Sequence, residues 1–67
     1  MTKLKYWYMT RMVAEKQAFI TYMADSCGVD ETTVYRYLNN EAPKLTKHLI
    51  SDYTKIPVEY LYKTVIA

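Results

Sequence analysis

A chain of 67 residues forms one domain. A domain this small buries only about 60% of its unfolded surface, so its core is marginal and pairing with a second copy would support it. Hydrophobic residues make up 51% of the chain and prolines number two, which argues against a disordered tail; no apolar run approaches the ~20 residues of a membrane span, and the net charge of +2 permits a nucleic-acid partner without demanding one.

Leu4, Trp7, Tyr8 and Met12 recur at helical spacing and predict a first helix over roughly 4–15. The triplet Tyr6-Trp7-Tyr8 could equally open as extended chain. Lys3 and Lys5 precede these aromatics, but Arg11 and Glu15 break the run, so it does not read as a signal peptide. No cap separates this helix from the next, and the break is placed at Gln17 and Ala18.

The second helix, about 18–27, sets Phe19, Ile20, Met23, Ala24 and Cys27 on one face. Gly28, the only glycine, then supplies the left-handed conformation that ends helices. Val29 plugs the turn. Asp30 is an N-cap for a third helix over about 31–38, with Thr33 at its third position, and its carboxylate suits the positive end of the helix dipole. Val34, Tyr37 and Leu38 face inward, leaving Glu31, Thr32, Tyr35 and Arg36 outward. Asn39 and Asn40 stop the helix, since Asn tolerates left-handed geometry and competes for backbone hydrogen bonds. Pro43 introduces a fourth helix reaching Tyr53, with Leu45, Leu49, Ile50 and Tyr53 inward. Pro57 fits the first turn of a short fifth helix carrying Val58, Leu61 and Tyr62. The tail from Thr64 to Ala67 either pairs across a dimer or frays.

Other chemistry finds little footing. His48 is the only histidine and has no partner at metal-ligand spacing, so no metal is expected. Cys27 is the only cysteine; it reads as a small buried hydrophobe and suits a reducing cytoplasm. One glycine cannot build a phosphate-binding loop, the carboxylates form no catalytic pair, and so small a domain has no room for a closed pocket. Neither enzyme activity nor a cofactor or small-molecule ligand is expected. The eight tyrosines suit core edges, where a ring packs and its hydroxyl stays wet, and secondly a partner surface.

Two helices joined by so tight a turn read as a helix-turn-helix, whose second helix can lie in the DNA major groove. The ordered set Met23-Ala24, Cys27-Gly28-Val29, Asp30 and Thr33-Val34, followed by Ile56-Pro57-Val58-Glu59-Tyr60-Leu61, resembles the Cro/repressor-type helix-turn-helix domain (lambda-repressor-like, XRE family). The likeness spans about Phe19 to Leu61. It implies an all-α, compact five-helix domain over residues 1–67 that acts as a phage- or mobile-element-type regulator of transcription. Such a protein would bind a pseudo-palindromic double-stranded operator as a homodimer and repress by occlusion.

By that resemblance, Glu31, Thr32, Tyr35 and Arg36 would meet base edges. Arg36 can donate two parallel bonds to guanine, worth about 1–3 kcal/mol of discrimination. Thr32 can meet a thymine methyl or a phosphate, and Tyr35 a sugar, methyl or phosphate. Glu31 could accept from cytosine N4 or merely decorate the helix N-terminus. Many members of the family carry a phosphate-binding Gln where this chain has Ile20. Phosphate contacts would then fall to Lys16, Gln17, Thr21, Asn39, Asn40, Lys44 and Lys47, each of which could also be a plain solvated residue. Two alternatives stand beside this reading: a protein-interaction module on the same fold, such as a phage-type inhibitor or antirepressor, and an architectural or recombination-directing protein that bends its site.

Overall fold

In the computed structural model, which describes residues 1–65, helix α1 (Lys3–Met9) starts at Thr2, whose hydroxyl accepts from the Lys5 amide at 3.1 Å. It stops early. Thr10 Oγ1 and Arg11 Nε both donate to the Trp7 carbonyl, at 2.9 and 3.2 Å, taking an acceptor left open at the helix end. Helix α2 (Val13–Cys27) follows at once, and Glu15 in its first turn accepts from the Met12 amide at 3.3 Å. The break therefore lies at residues 10–12. The expected helix over 4–15 is cut short, Met12 is 75% exposed rather than inward, and Gln17 and Ala18 sit inside α2.

Helix α2 ends as the sequence reading expects. Gly28 takes φ 66°, and its own amide and that of Val29 both donate to the Ala24 carbonyl. Asp30 caps α3 (Glu31–Asn39), its carboxylate accepting from the Thr33 amide at 2.9 Å and the Thr33 hydroxyl at 2.7 Å. The end of α3 differs from expectation: Asn39 is its last helical residue rather than its stop, and neither Asn39 nor Asn40 takes left-handed geometry. Asn39 does compete for a backbone acceptor, donating to the Tyr35 carbonyl at 3.1 Å, but Asn40 leaves the helix in extended geometry.

Pro43 precedes α4 (Lys44–Thr54), which ends at Lys55 in a left-handed conformation, φ 65°. Its inward stripe is Thr46, Ile50 and Thr54, flanked by half-buried Leu49 and Tyr53. Leu45 is not inward: it is 81% exposed. Threonine can hold a core-facing slot here because its hydroxyl is satisfied. Thr54 Oγ1 donates to the Ile50 carbonyl at 2.8 Å, and Cys27 Sγ lies 3.8 Å from Thr46 Oγ1. Cys27 itself is half-buried.

The expected fifth helix is a single 3₁₀ turn (Val58–Tyr60) that begins after Pro57 and delivers Leu61, wholly buried, to the core. Beyond it the chain returns to its own beginning. The Lys3 and Leu4 amides, orphaned at the start of α1, donate to the carbonyls of Lys63 and Leu61, both at 2.9 Å. Thr2 and Thr64 form an isolated antiparallel bridge, and the Val65 amide donates to the Met1 carbonyl at 2.8 Å. Thr64 and Val65 thus pair within the chain, while Ile66 and Ala67, also part of the expected tail, lie outside the described residues.

The fold is all-α, with four α-helices and no strand among the described residues. Leu4, Phe19, Ile20, Met23, Val34, Leu38, Ala42, Ile50 and Leu61 form its core. Trp7, Phe19 and Tyr53 meet edge to face along one side, with Phe19 centroids 5.2 Å from each of the other two rings. Tyr8, Tyr37, Tyr53 and Tyr62 are half-buried against the core, as a core-edge role requires; Tyr6, Tyr22, Tyr35 and Tyr60 are exposed. No helix among the described residues is long and apolar enough to cross a membrane.

Candidate nucleic-acid interface

Helix α3 is held against α2 by Val34 and Leu38, both buried, so its opposite side is free. Glu31, Thr32, Tyr35 and Arg36 are all exposed there. Nine residues at about 1.5 Å each give a rod some 13 Å long, close to the ~12 Å width of a major groove. The cap that starts the rod carries a charge: hydrogen bonds from the Thr33 hydroxyl and amide hold the Asp30 carboxyl below its ordinary range, and the positive charge of Arg36 adds to the effect.

Polar side chains collect at the two ends of α3. At the N-terminal end Gln17 Nε2 donates to Thr21 Oγ1 at 3.1 Å and to Glu31 Oε2 at 3.3 Å, joining the outer edge of α2 to the first turn of α3. Lys16, one residue earlier, places its ammonium 5.5 Å from the Tyr8 ring centroid. Burial, and then the neighbouring Tyr35 hydroxyl, push the Tyr8 phenol up. Ile20 is fully buried in the core and offers no polar group to a phosphate.

At the C-terminal end Asn39 accepts from Lys5 Nζ at 2.5 Å. Lys5 was not among the residues singled out from sequence. No local pattern marks it, because the contact spans 34 positions of chain and depends on α1 packing beside α3. Asn40 is exposed just beyond it. The lysines of α4 stand apart from both groups: Lys44 is exposed at the start of that helix, while Lys47 is paired with Glu41 and lies 5.7 Å from the Tyr62 ring centroid. Lys47–Glu41 is the one ion pair among the described residues, so Lys47 would reach a phosphate only by leaving its carboxylate.

Elsewhere, two open grooves of about 360 Å³ each share Trp7 and Arg11 as a common wall, with the Arg11 guanidinium 5.0 Å from the Trp7 ring. Among the described residues no group of His, Cys, Asp and Glu could hold a metal ion, and His48 is exposed and isolated. Comparison of the chain with protein-family models, with curated proteins and with solved structures gives no match.

Proposed function

We propose that this chain is a lambda-repressor-like helix-turn-helix protein that binds a specific double-stranded DNA operator in the cytoplasm. In this reading α3 enters the major groove and repression follows from occupying the promoter. A homodimer would set two copies of α3 in successive grooves about 34 Å apart on a pseudo-palindromic site. The observation that carries the reading is the α3 surface. Four side chains able to contact base edges project from one exposed side of a rod that a tight, well-capped turn fixes to α2.

Selection of bound duplexes from a random library tests it, because binding, half-site symmetry and base preference are read together. A recovered palindrome with a preferred guanine at one step supports the reading. Absence of any binding to random duplex at low salt defeats it, since electrostatic affinity precedes specificity in every reader of this kind.

A second reading, a protein-interaction module on the same helices, has its own support. Met9, Met12 and Val13 crowd the turn between α1 and α2 and are 51%, 75% and 82% exposed. Absence of binding to random duplex at low salt would shift the assignment to that apolar turn.

A further inference from the structure

We infer that, of the four candidate readers on α3, only Thr32 and Arg36 meet base edges, while Glu31 and Tyr35 are positioning residues held by the neighbouring helices. The inference rests on the DNA-binding reading and narrows its recognition surface from four side chains to two.

The period of α3 divides its outer surface into two stripes. Glu31, Tyr35 and Asn39 recur at i, i+4 and i+8, and so do Thr32, Arg36 and the following Asn40. At about 100° per residue, Arg36 lies opposite the mean direction of buried Val34 and Leu38, and Thr32 lies about 40° from that point. Tyr35 and Glu31 are turned roughly 100° and 140° away from it, onto the flank that meets α1 and α2.

The contacts follow the same division. Gln17 Nε2 of α2 donates to Glu31 Oε2 at 3.3 Å, and Lys5 Nζ of α1 donates to Asn39 Oδ1 at 2.5 Å. Between them Tyr35 sets its hydroxyl beside Tyr8 of α1, whose phenol is pushed up by burial first and by this neighbour second. Helix α1 therefore runs along one flank of α3 in the opposite direction, with Lys5 at Asn39 and Tyr8 at Tyr35, one turn earlier in α3. Among the described residues, no side-chain hydrogen bond from α1 or α2 reaches Thr32 or Arg36. A side chain already bonded within its own protein must give up that bond before it can turn to a base. Thr32 and Arg36 carry no such cost, and a guanidinium facing straight outward can donate in parallel to guanine O6 and N7.

The test repeats the selection from a random duplex library with the wild type and with single variants, circular dichroism confirming the fold of each. Arg36→Ala and Thr32→Ala are each expected to lose preference at one base step. Affinity for operator over random duplex should fall about 5- to 150-fold for Arg36→Ala and about 2- to 10-fold for Thr32→Ala. Arg36→Lys keeps the charge but loses the paired donors, so it should affect the same step and keeps the question answerable if Arg36→Ala does not fold. Glu31→Gln and Tyr35→Phe are expected to recover the wild-type site with the operator-to-random ratio unchanged. The positioning role has its own readout: Tyr8→Phe should change DNA affinity as much as Tyr35→Phe does, and the double variant no more than either. Independent, additive effects of the two hydroxyls overturn that role. A changed site with Glu31→Gln or Tyr35→Phe, or an unchanged one with folded Arg36→Ala or Thr32→Ala, overturns the assignment and leaves the DNA reading intact. No binding of the wild type to random duplex at low salt overturns both.

Discussion

The hydroxyl of Tyr62 donates to the carbonyl of Tyr37 at 2.6 Å and accepts from the amide of Ala42 at 3.2 Å, so one side chain near the end of the sequence closes the loop that follows α3. The bond to Tyr37 spans 25 positions, and both backbone groups are partly buried. Removing the hydroxyl leaves each without its partner. Tyr62→Phe is expected to cost about 1–3 kcal/mol, roughly 4–8 °C in Tm per kcal/mol, with the ring's packing retained. Thermal unfolding followed by circular dichroism measures it.

The same residue sets an alkaline limit. Burial, opposed by the Ala42 amide and assisted by the charge of Glu41, pushes the Tyr62 phenol up to about 12. The unfolded chain releases this proton near 10, before the folded chain does. Stability from Tyr62 is therefore complete below pH 10, declines between 10 and 12, and is gone above 12. After allowance for water reaching the half-buried ring, the loss is on the order of 1–2 kcal/mol. Tyr62→Phe cannot titrate, so the stability gap between it and the wild type should narrow over that interval. A constant gap from pH 9 to pH 12 would refute the assignment.

Two residues with left-handed backbones should respond oppositely to substitution. At Gly28 a Cβ would meet nothing within 4 Å, so Gly28→Ala carries only the conformational penalty, about 1–2 kcal/mol. Lys55, at φ 65°, already bears a penalty of that kind. Its amide bond to the Ser51 carbonyl, 2.8 Å, does not depend on the side chain. Lys55→Gly should stabilise the protein by about 0.5–1 kcal/mol, after the added backbone entropy of glycine in the unfolded state is subtracted. Urea titration of both variants checks the signs.

Which parts of this arrangement could be read from sequence follows from how local their causes are. The joint between α2 and α3 is written within a few neighbouring residues: Gly28 must turn left-handed, and Asp30 with Thr33 must cap. The end of α1 carries no such mark. Thr10 and Arg11 stop it by turning back onto the Trp7 carbonyl, a competition that hydrophobic spacing does not register. On α4 the apolar pattern favours Leu45, yet Thr46 takes the inward slot with Ile50 and Thr54; Leu45, Leu49 and Tyr53 share the same spacing, so period alone does not choose, and the partners that satisfy the threonine hydroxyls, Cys27 Sγ and the Ile50 carbonyl, appear only in the folded chain. At the site, the exposure of Glu31, Thr32, Tyr35 and Arg36 follows from the period of α3 alone. The Lys5–Asn39 and Lys3–Lys63 contacts needed the chain to be folded before they could be seen.

The α4 register has a direct check. With Leu45 at 81% exposure, Leu45→Lys should change stability by less than about 0.5 kcal/mol. Ile50→Ala, further along the same helix and fully buried, should cost about 2–5 kcal/mol. Comparable losses at the two positions would mean that Leu45 faces a packed surface.

In the proposed DNA-binding reading, Glu31 would separate the roles of charge and base reading on α3. Its carboxylate is exposed at the edge of the side of α3 proposed to face DNA and accepts from Gln17 at 3.3 Å, so it would meet an approaching phosphate with like charge. Glu31→Gln keeps the shape and a hydrogen-bonding partner for Gln17 but removes that repulsion, and binding to random duplex should tighten. If Glu31 accepts from a cytosine in the operator, the same change should weaken specific binding by about 1–3 kcal/mol, narrowing the gap from both sides. Arg36→Ala makes the contrast: it should relax preference at one base pair and leave the slope with salt lower by about 1 at most. Lys44→Ala should instead weaken every sequence alike. Operator and random duplexes titrated in parallel separate these outcomes. Equal affinities of Glu31→Gln and wild type for both duplexes would remove Glu31 from the interface.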